Sequence, residues 1–349
     1  MKFIDEVKSF SQKRVLVRCD FNCPLDEKGE ILDDTRIKKI TPTIEDLIKK
    51  EAKVILLSHL GRPEGKKNEK LKMDKIQEKL MEYLDLSIIK APDCVGKNIE
   101  KETYKMLSGE ILLLENVRFH KEEKDCKMSF AKKLSRLGDI FVQDAFSVCH
   151  RKHASVYLLP QLLPSFGGLL LKKEIKILEN LLKNPKRPLV SIFGGVKIET
   201  KIEAIKELVA ISDYVLLGGR IPVKMPFVSA NIFFPLDWKT ENGKPFDIGK
   251  KTILKYKEII KKAKMILWNG PLGMFEKKEF EKGTKEIAKA ISETKAFKIA
   301  GGGETLLAIK KYQLEDRFDF LSTGGGAMLS FLAGERLPGL DALNYYEKN

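Results

Sequence analysis

Short apolar runs alternate along the chain with charged segments whose apolar residues recur at helical spacing. Nine of these runs have the length and the branched or aromatic content of buried strands. They cover residues 15–18, 54–57, 111–114, 140–142, 189–193, 214–217, 265–268, 298–300 and 318–321. Strands that are apolar almost throughout, each followed by a helix, are typical of parallel sheets covered on both faces. The pattern predicts an α/β protein with doubly wound parallel sheets.

A long amphipathic helix is predicted at mid-chain, over residues 168–184. Its apolar stripe has the spacing i, i+4, i+7, i+11 and consists of Leu171, Ile175, Leu178 and Leu182. Glycines precede it and Pro185 follows it, which suits helix ends. We expect this segment (167–184) to join a first lobe, 1–166 with the tail 335–349, to a second lobe, 185–334. A helix packed inside a single domain is the alternative.

The length and composition of the chain limit which classes of protein it can belong to. The chain has 349 residues, enough for two domains, and a net charge of +15. Most of that charge is expected on solvated surface lysines, although a nucleic-acid or other polyanion-binding protein remains an alternative. Prolines and glycines interrupt the longest apolar stretch (158–171), and the first residues do not resemble a signal peptide, so we expect a soluble cytoplasmic protein without membrane contact.

The five cysteines do not predict a disulfide framework, because their number is odd and no CxxC pair occurs. Cys149, His150 and His153 could be metal ligands. No second cluster of cysteines and histidines completes a tetrahedral site with them.

Basic and polar residues follow the predicted strands of the first half. Because ligands of open parallel sheets bind beyond the carboxyl ends of the strands, we expect these side chains at one edge. Arginines suit phosphate and carboxylate groups, so the set predicts an anion pocket, although each histidine alone could be structural. The set comprises Asp20, Asn22, Arg36, His59, Arg62, Arg118, His150, Arg151 and His153.

Glycines take the same positions in the second half, at 194–195, 218–219, 270, 301–303 and 324–326. Backbone N–H groups in such loops bind phosphate closely, which predicts a nucleotide site. Lys197 and Lys201 are expected on one helix face there, where either could neutralise a phosphoryl group; the alternative is two ordinary surface lysines. Neither GxxxxGK[ST] nor GxGxxG occurs, which argues against P-loop enzymes, dinucleotide-binding dehydrogenases and protein kinases.

Several motifs together resemble those of the phosphoglycerate kinases. SHLGRP at 58–63, LLLENVRFH at 112–120 and HRKHAS at 150–155 resemble the substrate-binding lobe of that family. GGVKIETK at 194–201, WNGPLGMFE at 268–276, GGGET at 301–305 and STGGGA at 322–327 resemble its nucleotide lobe. The resemblance implies two doubly wound lobes joined by an interdomain helix, with the C-terminal tail packed on the first lobe. It also implies hinge bending and a monomer that binds only small molecules.

The resemblance also implies a set of site residues. Those for phosphoglycerate are Asp20, Phe21, Asn22, Arg36, His59, Leu60, Gly61, Arg62, Arg118, His150 and Arg151. Those for the nucleotide are Gly194, Gly195, Lys197, Lys201, Gly218, Gly219, Asn269, Pro271, Glu276, Gly302, Gly303, Glu304 and Thr305. Arg36, Lys197, Lys201, Gly303 and Gly326 would be catalytic, and Glu304 would hold the Mg²⁺ that accompanies ADP or ATP.

The chain departs from the family pattern in its second half. Glu304 stands where the family usually has aspartate, and Pro245 stands where a glycine usually contacts the nucleotide. The strand end after residue 217 continues as Gly-Gly-Arg-Ile-Pro, and a helical segment that usually follows is missing. The predicted function is reversible phosphoryl transfer between 1,3-bisphosphoglycerate and Mg-ADP. The same fold with weakened or altered nucleotide use is the nearer alternative.

Overall fold

The computed structural model describes residues 1–199 and 201–348, with the side chain of residue 348 left aside. Thr200, within the motif at 194–201, and Asn349 lie outside the described residues. The chain divides into two compact units, one formed by Met1–Ile175 with Arg336–Asn349 and the other by Lys176–Glu335.

The first unit contains a six-stranded parallel sheet in the order β3-β4-β2-β1-β5-β6. Its strands are β1 (Arg14–Arg18), β2 (Lys53–Leu57), β3 (Ile88–Lys90), β4 (Ile111–Leu113), β5 (Ile140–Gln143) and β6 (Ser165–Gly167). Since β2 and β5 flank β1 on opposite sides, the strand order reverses there, and the carboxyl end of β1 is the expected ligand-binding point. The sequence analysis predicted four of these strands but not β3 or β6.

Helices cover both faces of this sheet, because alternate residues of its strands face opposite ways. Val15 and Val17 pack in one buried apolar cluster, and Leu16 packs in another. The helices are α1 (Thr35–Lys49), α2 (Asp74–Leu84), α3 (Lys97–Lys105), α4 (Lys121–Lys124), α5 (Met128–Ser135) and α6 (Leu169–Lys183). The predicted mid-chain helix is therefore α6, and the division between the two units falls inside it.

The second unit contains a six-stranded parallel sheet in the order β14-β13-β12-β7-β8-β9 and a separate antiparallel pair, β10-β11. Its strands are β7 (Leu189–Phe193), β8 (Tyr214–Leu217), β9 (Ile232–Phe233), β10 (Trp238–Glu241), β11 (Lys244–Ile248), β12 (Met265–Asn269), β13 (Phe297–Gly301) and β14 (Phe320–Ser322). The order reverses between β7 and β12, so a ligand is expected beyond the ends of these two strands.

The helices of the second unit are α7 (Ile202–Ile211), α8 (Ile221–Lys224), α9 (Lys250–Ile260), α10 (Lys282–Ser292), α11 (Gly303–Lys311) and α12 (Gly326–Leu332). The last helix of the chain, α13 (Pro338–Asp341), belongs to the first unit. There the backbone N–H of Gly339 donates to the Cys149 carbonyl at 2.8 Å. None of the helices in the described ranges combines the length and the hydrophobicity that a membrane span requires. The predicted α/β fold with two parallel sheets is confirmed.

Candidate active site

The basic edge of the first sheet begins just after β1. Asp20 is buried, forms an ion pair with Arg36 near the start of α1, and accepts a hydrogen bond from the Ser147 hydroxyl. Burial lowers the pKa of Arg36, and the negative charge of Glu174 opposes that shift. Asp20 therefore holds the Arg36 guanidinium by charge without removing it entirely from solvent.

Arg118 is the least satisfied member of this edge. The residue is 4% exposed, and its Nη1 donates to the Gly61 carbonyl at 2.8 Å. Gly61 is held in turn because its N–H donates to Asn22 Oδ1 at 2.8 Å. The Nε and Nη2 groups of Arg118 are buried and have no hydrogen-bond partner among the described residues. Buried donors without partners are costly, so this arrangement suits an anion that accepts from both.

Burial and neighbouring positive charges lower the pKa values of basic side chains at this edge. Burial, followed by the charges of Arg18 and Arg151, lowers the pKa of Arg118 to about 10. His59 is buried, and its pKa is well below the ordinary value because of burial and the nearby charges of Arg18 and Arg118. His59 is therefore neutral at physiological pH, and the arginines supply the charge that attracts an anion.

Arg18, which the sequence analysis missed, supports this edge from inside the sheet. It is fully buried on β1, with its Nη2 3.3 Å from His59 Nδ1 and its Nε donating to Ser155 Oγ at 2.9 Å. The Ser155 hydroxyl donates to buried Glu123 at 2.6 Å, and its backbone N–H donates to the same carboxylate at 2.9 Å. An arginine directly after the apolar residues 15–17 of a predicted buried strand was the sequence signal for this network, because such a charge needs a buried partner.

The other predicted residues of the basic edge are either more exposed to solvent or packed in the apolar core. Arg62 is exposed, and Arg151 is half-buried with its Nε 3.3 Å from His150 Nε2. Phe21 and Leu60 lie in the apolar core, where their backbone N–H groups donate to Ser58 Oγ and Asn116 Oδ1. Their side chains pack in that core, and a contact of either residue with the substrate stays a prediction.

His153, also predicted at the basic edge, is 9% exposed beside the buried Glu123. Burial and the charges of Arg118 and Arg18 lower its pKa to about 3. His153 is therefore a second neutral histidine of the same edge.

Backbone, rather than charged side chains, forms the corresponding edge of the second sheet. The N–H of Gly195 donates to the Pro271 carbonyl at 2.7 Å, and the N–H of Gly219 donates to the Leu272 carbonyl at 3.0 Å. A Cβ on Gly194 would overlap the carbonyl of Pro271, so only glycine permits the loops after β7 and β12 to approach this closely. This is the point of strand reversal identified above.

Lys201 lies at the centre of this backbone edge. It is 9% exposed, and its Nζ donates to the Gly194 carbonyl at 2.7 Å. Burial lowers the pKa of Lys201 to about 8, and the nearby Glu304 carboxylate partly offsets that effect. A Cβ built on Gly195 would lie 3.3 Å from Lys201 Nζ and 3.4 Å from Glu304 Oε2, so these two charges adjoin the same glycine.

Lys197 and Lys201 do not share a helix face, contrary to the sequence prediction. The helix α7 begins only at Ile202, and the segment before it is not α-helical where it is described. Lys197 is therefore exposed while Lys201 is buried. The glycines at 194–195 let the chain after β7 pass close to the loop after β12. This segment is therefore a loop, and α7 begins only after it.

A cleft of about 500 Å³ opens beside these loops. Its lining includes five of the predicted nucleotide residues, namely Gly195, Gly219, Pro271, Glu276 and Glu304. It also includes Arg220, from the unusual strand end, and Pro245 and Phe246, from the β10-β11 pair. Pro245 thus lies in the cleft without a backbone N–H to offer a ligand.

The remaining predicted nucleotide residues support the cleft or stand beside it. The Thr305 hydroxyl accepts from the Gly270 N–H at 2.7 Å, and Asn269 Nδ2 donates to the Gly301 carbonyl at 2.9 Å. Gly218 packs against Leu272, and Gly302 precedes α11 with a φ of 96°. The two predicted catalytic glycines are the first residues of helices, Gly303 of α11 and Gly326 of α12.

Comparison with known proteins relates the whole chain to one family. The sequence profile described as phosphoglycerate kinase matches residues 4–233 and 228–335. The phosphoglycerate kinase of Borrelia garinii subsp. bavariensis is 41% identical over 390 aligned positions, covering 98% of this chain and 99% of the relative. That of Aquifex aeolicus is 41% identical over 374 positions, covering 93% of this chain and 94% of the relative.

Solved structures show the same similarity. Phosphoglycerate kinase from Pyrococcus horikoshii OT3 is 32% identical, with a TM-score of 0.86 and 100% coverage of both chains. That from Coxiella burnetii is 31% identical, with a TM-score of 0.83 and 99% coverage of both.

The comparison also locates a difference in length. The alignment with the Borrelia relative spans more positions than the 349 residues of this chain, so that relative carries segments that this chain lacks. The two profile matches overlap at 228–233, a segment that follows the four-residue helix α8 and includes β9. The motifs, the fold and the similarity along nearly the whole length agree, and the chain belongs to the phosphoglycerate kinase family of phosphotransferases, as its sequence predicted.

Proposed function

We propose that this chain catalyses reversible transfer of a phosphoryl group between 1,3-bisphosphoglycerate and Mg-ADP, giving 3-phosphoglycerate and ATP. The observation that carries the proposal is the pairing, within one chain of this family, of a basic anion pocket and a glycine-lined cleft. The first has charged donors with unused hydrogen-bonding capacity, and the second offers close backbone approach. These are the needs of a phosphorylated acid and of a nucleotide, respectively.

The basic edge would hold the phosphorylated acid. Arg118 offers two unused buried N–H groups, and Arg62 and Arg151 add charge from more accessible positions. Asn22 fixes Gly61 and, through it, the orientation of Arg118. His59 Nδ1 faces the Arg18 guanidinium, which can only donate, so neutral His59 would donate a single hydrogen bond from Nε2 without adding charge. In this assignment Arg36 stabilises the phosphoryl group during transfer.

The glycine-lined cleft would hold the nucleotide. Gly195 and Gly219 let the backbone approach the base and phosphates, and Glu276 would accept from the ribose hydroxyls. Lys201 is the buried ammonium of the cleft, and Lys197 is a second cation at the loop surface. The N–H groups that begin α11 and α12, near Gly303 and Gly326, have no partners within those helices and can bind phosphate oxygens.

The residues present fit a magnesium ion bound together with a nucleotide. Glu304 is exposed in the first turn of α11, and its Oε2 adjoins the glycine loop after β7. Mg²⁺ prefers oxygen ligands and is commonly bound by one or two carboxylates together with substrate phosphates and water. When bound, it would neutralise charge on the nucleotide phosphates. Glu304 would orient that ion, as the resemblance to the family implied.

Transfer needs no covalent intermediate with the protein. A terminal oxygen of ADP attacks the acyl phosphate, a new P–O bond forms, and the bond to the acyl oxygen breaks to leave the carboxylate of 3-phosphoglycerate. Catalysis then depends on positioning and on stabilising negative charge spread over the transferred group. Arg36 and Lys201 supply positive charge, and the glycine loops supply N–H donors. Hinge bending that brings the two bound substrates together for direct transfer remains a prediction.

A coupled assay tests the proposal directly. The purified chain, supplied with 3-phosphoglycerate and Mg-ATP, should produce 1,3-bisphosphoglycerate, which a dehydrogenase then reduces with loss of NADH absorbance. We expect turnover that requires both substrates and Mg²⁺. A folded chain that shows no turnover with either direction of the reaction would exclude this function.

Weakened nucleotide use is the second candidate, because Pro245 lines the cleft and the chain lacks segments that an aligned relative carries. Calorimetric titration with Mg-ADP and Mg-ATP separates the two. Affinities in the micromolar range that depend on Mg²⁺ favour ordinary kinase activity, whereas no saturation at millimolar nucleotide favours the alternative. The monomeric state and cytoplasmic location remain predictions, which sedimentation and cell fractionation would test.

A further inference from the structure

A cluster of three possible metal ligands lies in the first unit, and none of the three is among the residues assigned to phosphoglycerate. Asp93 and Cys94 follow β3, and His120 follows the 3₁₀ turn Val117–Phe119 after β4. The nearest ligand atoms of the three side chains all lie within 4.8 Å of one another. In the described ranges this is the one group of its kind, and it differs from Cys149, His150 and His153, which the sequence had suggested.

Contacts around the cluster hold two of the three ligands in place. His120 Nε2 lies 2.6 Å from Asp93 Oδ1, and the His120 ring stacks on Phe130 with 5.1 Å between centroids. The backbone N–H of Cys94 donates to the same Asp93 oxygen at 2.7 Å. The imidazole and the carboxylate are therefore oriented toward each other before any ion binds, which lowers the entropic cost of binding.

We propose that Asp93, Cys94 and His120 form a binding site for a borderline-soft divalent metal ion such as Zn²⁺, separate from the magnesium that accompanies the nucleotide. Nitrogen and sulfur donors favour zinc and its neighbours over the oxygen-preferring Mg²⁺. With three protein ligands, a water molecule would complete the tetrahedron.

The distances are close to those that zinc requires. Bonds of about 2.0–2.3 Å in a tetrahedron place neighbouring ligand atoms roughly 3.3–3.7 Å apart. The Asp93–His120 pair must therefore open by about 1 Å, and any separation near the 4.8 Å limit must close by a similar amount. Side-chain rotation supplies shifts of this size without moving the strands. The ion replaces the proton between His120 Nε2 and Asp93 Oδ1; that proton moves to His120 Nδ1 when the ring is neutral and leaves to solvent when the ring is protonated. The Cys94 thiol also releases its proton to solvent.

Access and charge are also compatible with a cation. The side chains of Asp93 and His120 are 28% and 24% exposed, whereas Cys94 is buried behind them. A carboxylate and a thiolate together balance two positive charges. Two features oppose binding. Burial, with the charge of Asp93, raises the pKa of the Cys94 thiol well above its ordinary value, and Lys67 Nζ lies 3.6 Å from Asp93 Oδ2, although the Lys67 side chain is 62% exposed and free to turn toward solvent. Removing the Lys67 charge should therefore strengthen metal binding a few-fold.

Cobalt provides the test, because Co²⁺ occupies zinc sites and is coloured. The metal-free full-length chain is titrated with Co²⁺ in excess Mg²⁺ and without nucleotide. We expect one Co²⁺ per chain, a near-ultraviolet band from thiolate-to-cobalt charge transfer, visible absorption typical of tetrahedral cobalt, and displacement by Zn²⁺. Cys94→Ser should abolish the charge-transfer band, His120→Gln should weaken binding at least tenfold, and Lys67→Met should tighten it.

Cys126→Ser is the matched control, because Cys126 is the partly exposed cysteine and the remaining ones are buried. This variant should behave as the unmodified chain. A band that survives in Cys94→Ser and disappears in Cys126→Ser would show adventitious thiol binding and overturn the proposal. Absence of the band, or competition by millimolar Mg²⁺, would do the same. If Cys94→Ser fails to fold, unchanged Co²⁺ affinity in His120→Gln decides against the site. Kinase turnover with Mg²⁺ alone is measured separately and does not depend on this outcome.

Discussion

The two sheet edges solve the problem of binding phosphate in opposite ways. After β1 and β4, the first unit presents charged side chains such as Arg36 and Arg118, supported by buried carboxylates. After β7 and β12, the second unit presents bare backbone, with one buried ammonium, Lys201. Both edges lie where the strand order reverses. The fold therefore determines where a ligand can bind, and the residues after each strand determine which groups contact it.

Different effects oppose the formation of each edge. Clustered arginines repel one another and lose hydration, which is why the pKa of Arg118 falls to about 10. The backbone edge restricts which residues can occupy its loops, since Gly194 and Gly270 approach each other too closely for any Cβ. The basic edge should therefore be sensitive to loss of charge, and the backbone edge to addition of a methyl group. The predictions below test that contrast.

Arg36→Ala should cause the largest loss. We expect turnover to fall by about 10³-fold or more, because positive charge on the transferring phosphoryl group has effects of that size. The coupled assay measures it, with circular dichroism to verify folding. Arg136→Ala, which removes an exposed arginine of the same unit, is the control and should leave turnover unchanged. Near-normal turnover in Arg36→Ala would contradict the assigned role.

Lys201→Ala should lower turnover by about 10²–10³-fold, since a preorganised charge in a buried site contributes several kcal/mol. The exposed Lys206 on α7, paired with Glu203, provides the control variant Lys206→Ala. Initial rates at saturating Mg-ATP show whether chemistry rather than affinity is affected. An unchanged maximal rate with only a raised KM would assign Lys201 to binding alone.

Gly194→Ala should weaken nucleotide binding by about 100-fold and cost about 1–3 kcal/mol of stability, because its methyl group overlaps the Pro271 carbonyl. Gly303→Ala is the comparison for stability, since a Cβ there meets no atom within 4 Å. Urea unfolding and calorimetry with Mg-ADP measure the two effects. Equal stability of both variants would show that the close backbone approach is not needed.

Asp144→Asn should remove a dependence of stability on pH. Asp144 follows β5, is fully buried, and accepts from the Leu171 N–H at 2.7 Å. Burial raises its pKa to about 7 from an ordinary 3.8, so the stability associated with its neutral form is lost as pH rises from about 4 through 7. We expect the variant, which keeps the acceptor, to gain a few kcal/mol over the unmodified chain by pH 8 and little at pH 4. If the free energies of unfolding of the variant and the unmodified chain differed by the same amount at every pH, this prediction would be refuted.

Glu304→Asp should have the smallest effect. Shortening the side chain withdraws its carboxylate from the loop at Gly195, so we expect a few-fold rise in the Mg²⁺ concentration needed for half-maximal turnover. Glu315→Asp, in the 3₁₀ turn Glu315–Arg317, is a control with the same chemical change. A lower Mg²⁺ requirement in Glu304→Asp would mean that the loop suits the shorter acid usual in the family.

Regular patterns made much of the fold predictable. The predicted strands at 189–193 and 214–217 coincide with β7 and β8, because long apolar runs specify buried strands. The strands β3 and β6 were missed because each has only one or two apolar residues, whereas the equally short β4 lies in a continuous apolar run. The β10-β11 hairpin was missed although Asn242-Gly243, both with positive φ, is a strong hairpin signal. The missed strands are defined by their pairing with neighbouring strands in the folded protein rather than by their composition.

By itself, the sequence determined the family, the parallel α/β architecture and the chemical character of each edge, since these follow from local patterns and motifs. Only the tertiary structure decided which of Lys197 and Lys201 is buried, that Arg18 is neutralised through Ser155 and Glu123, and that Asp93, Cys94 and His120 lie together. Those outcomes depend on loops from strands distant in sequence meeting at one sheet edge. Burial and charge at such meeting points arise from packing, which no local pattern contains.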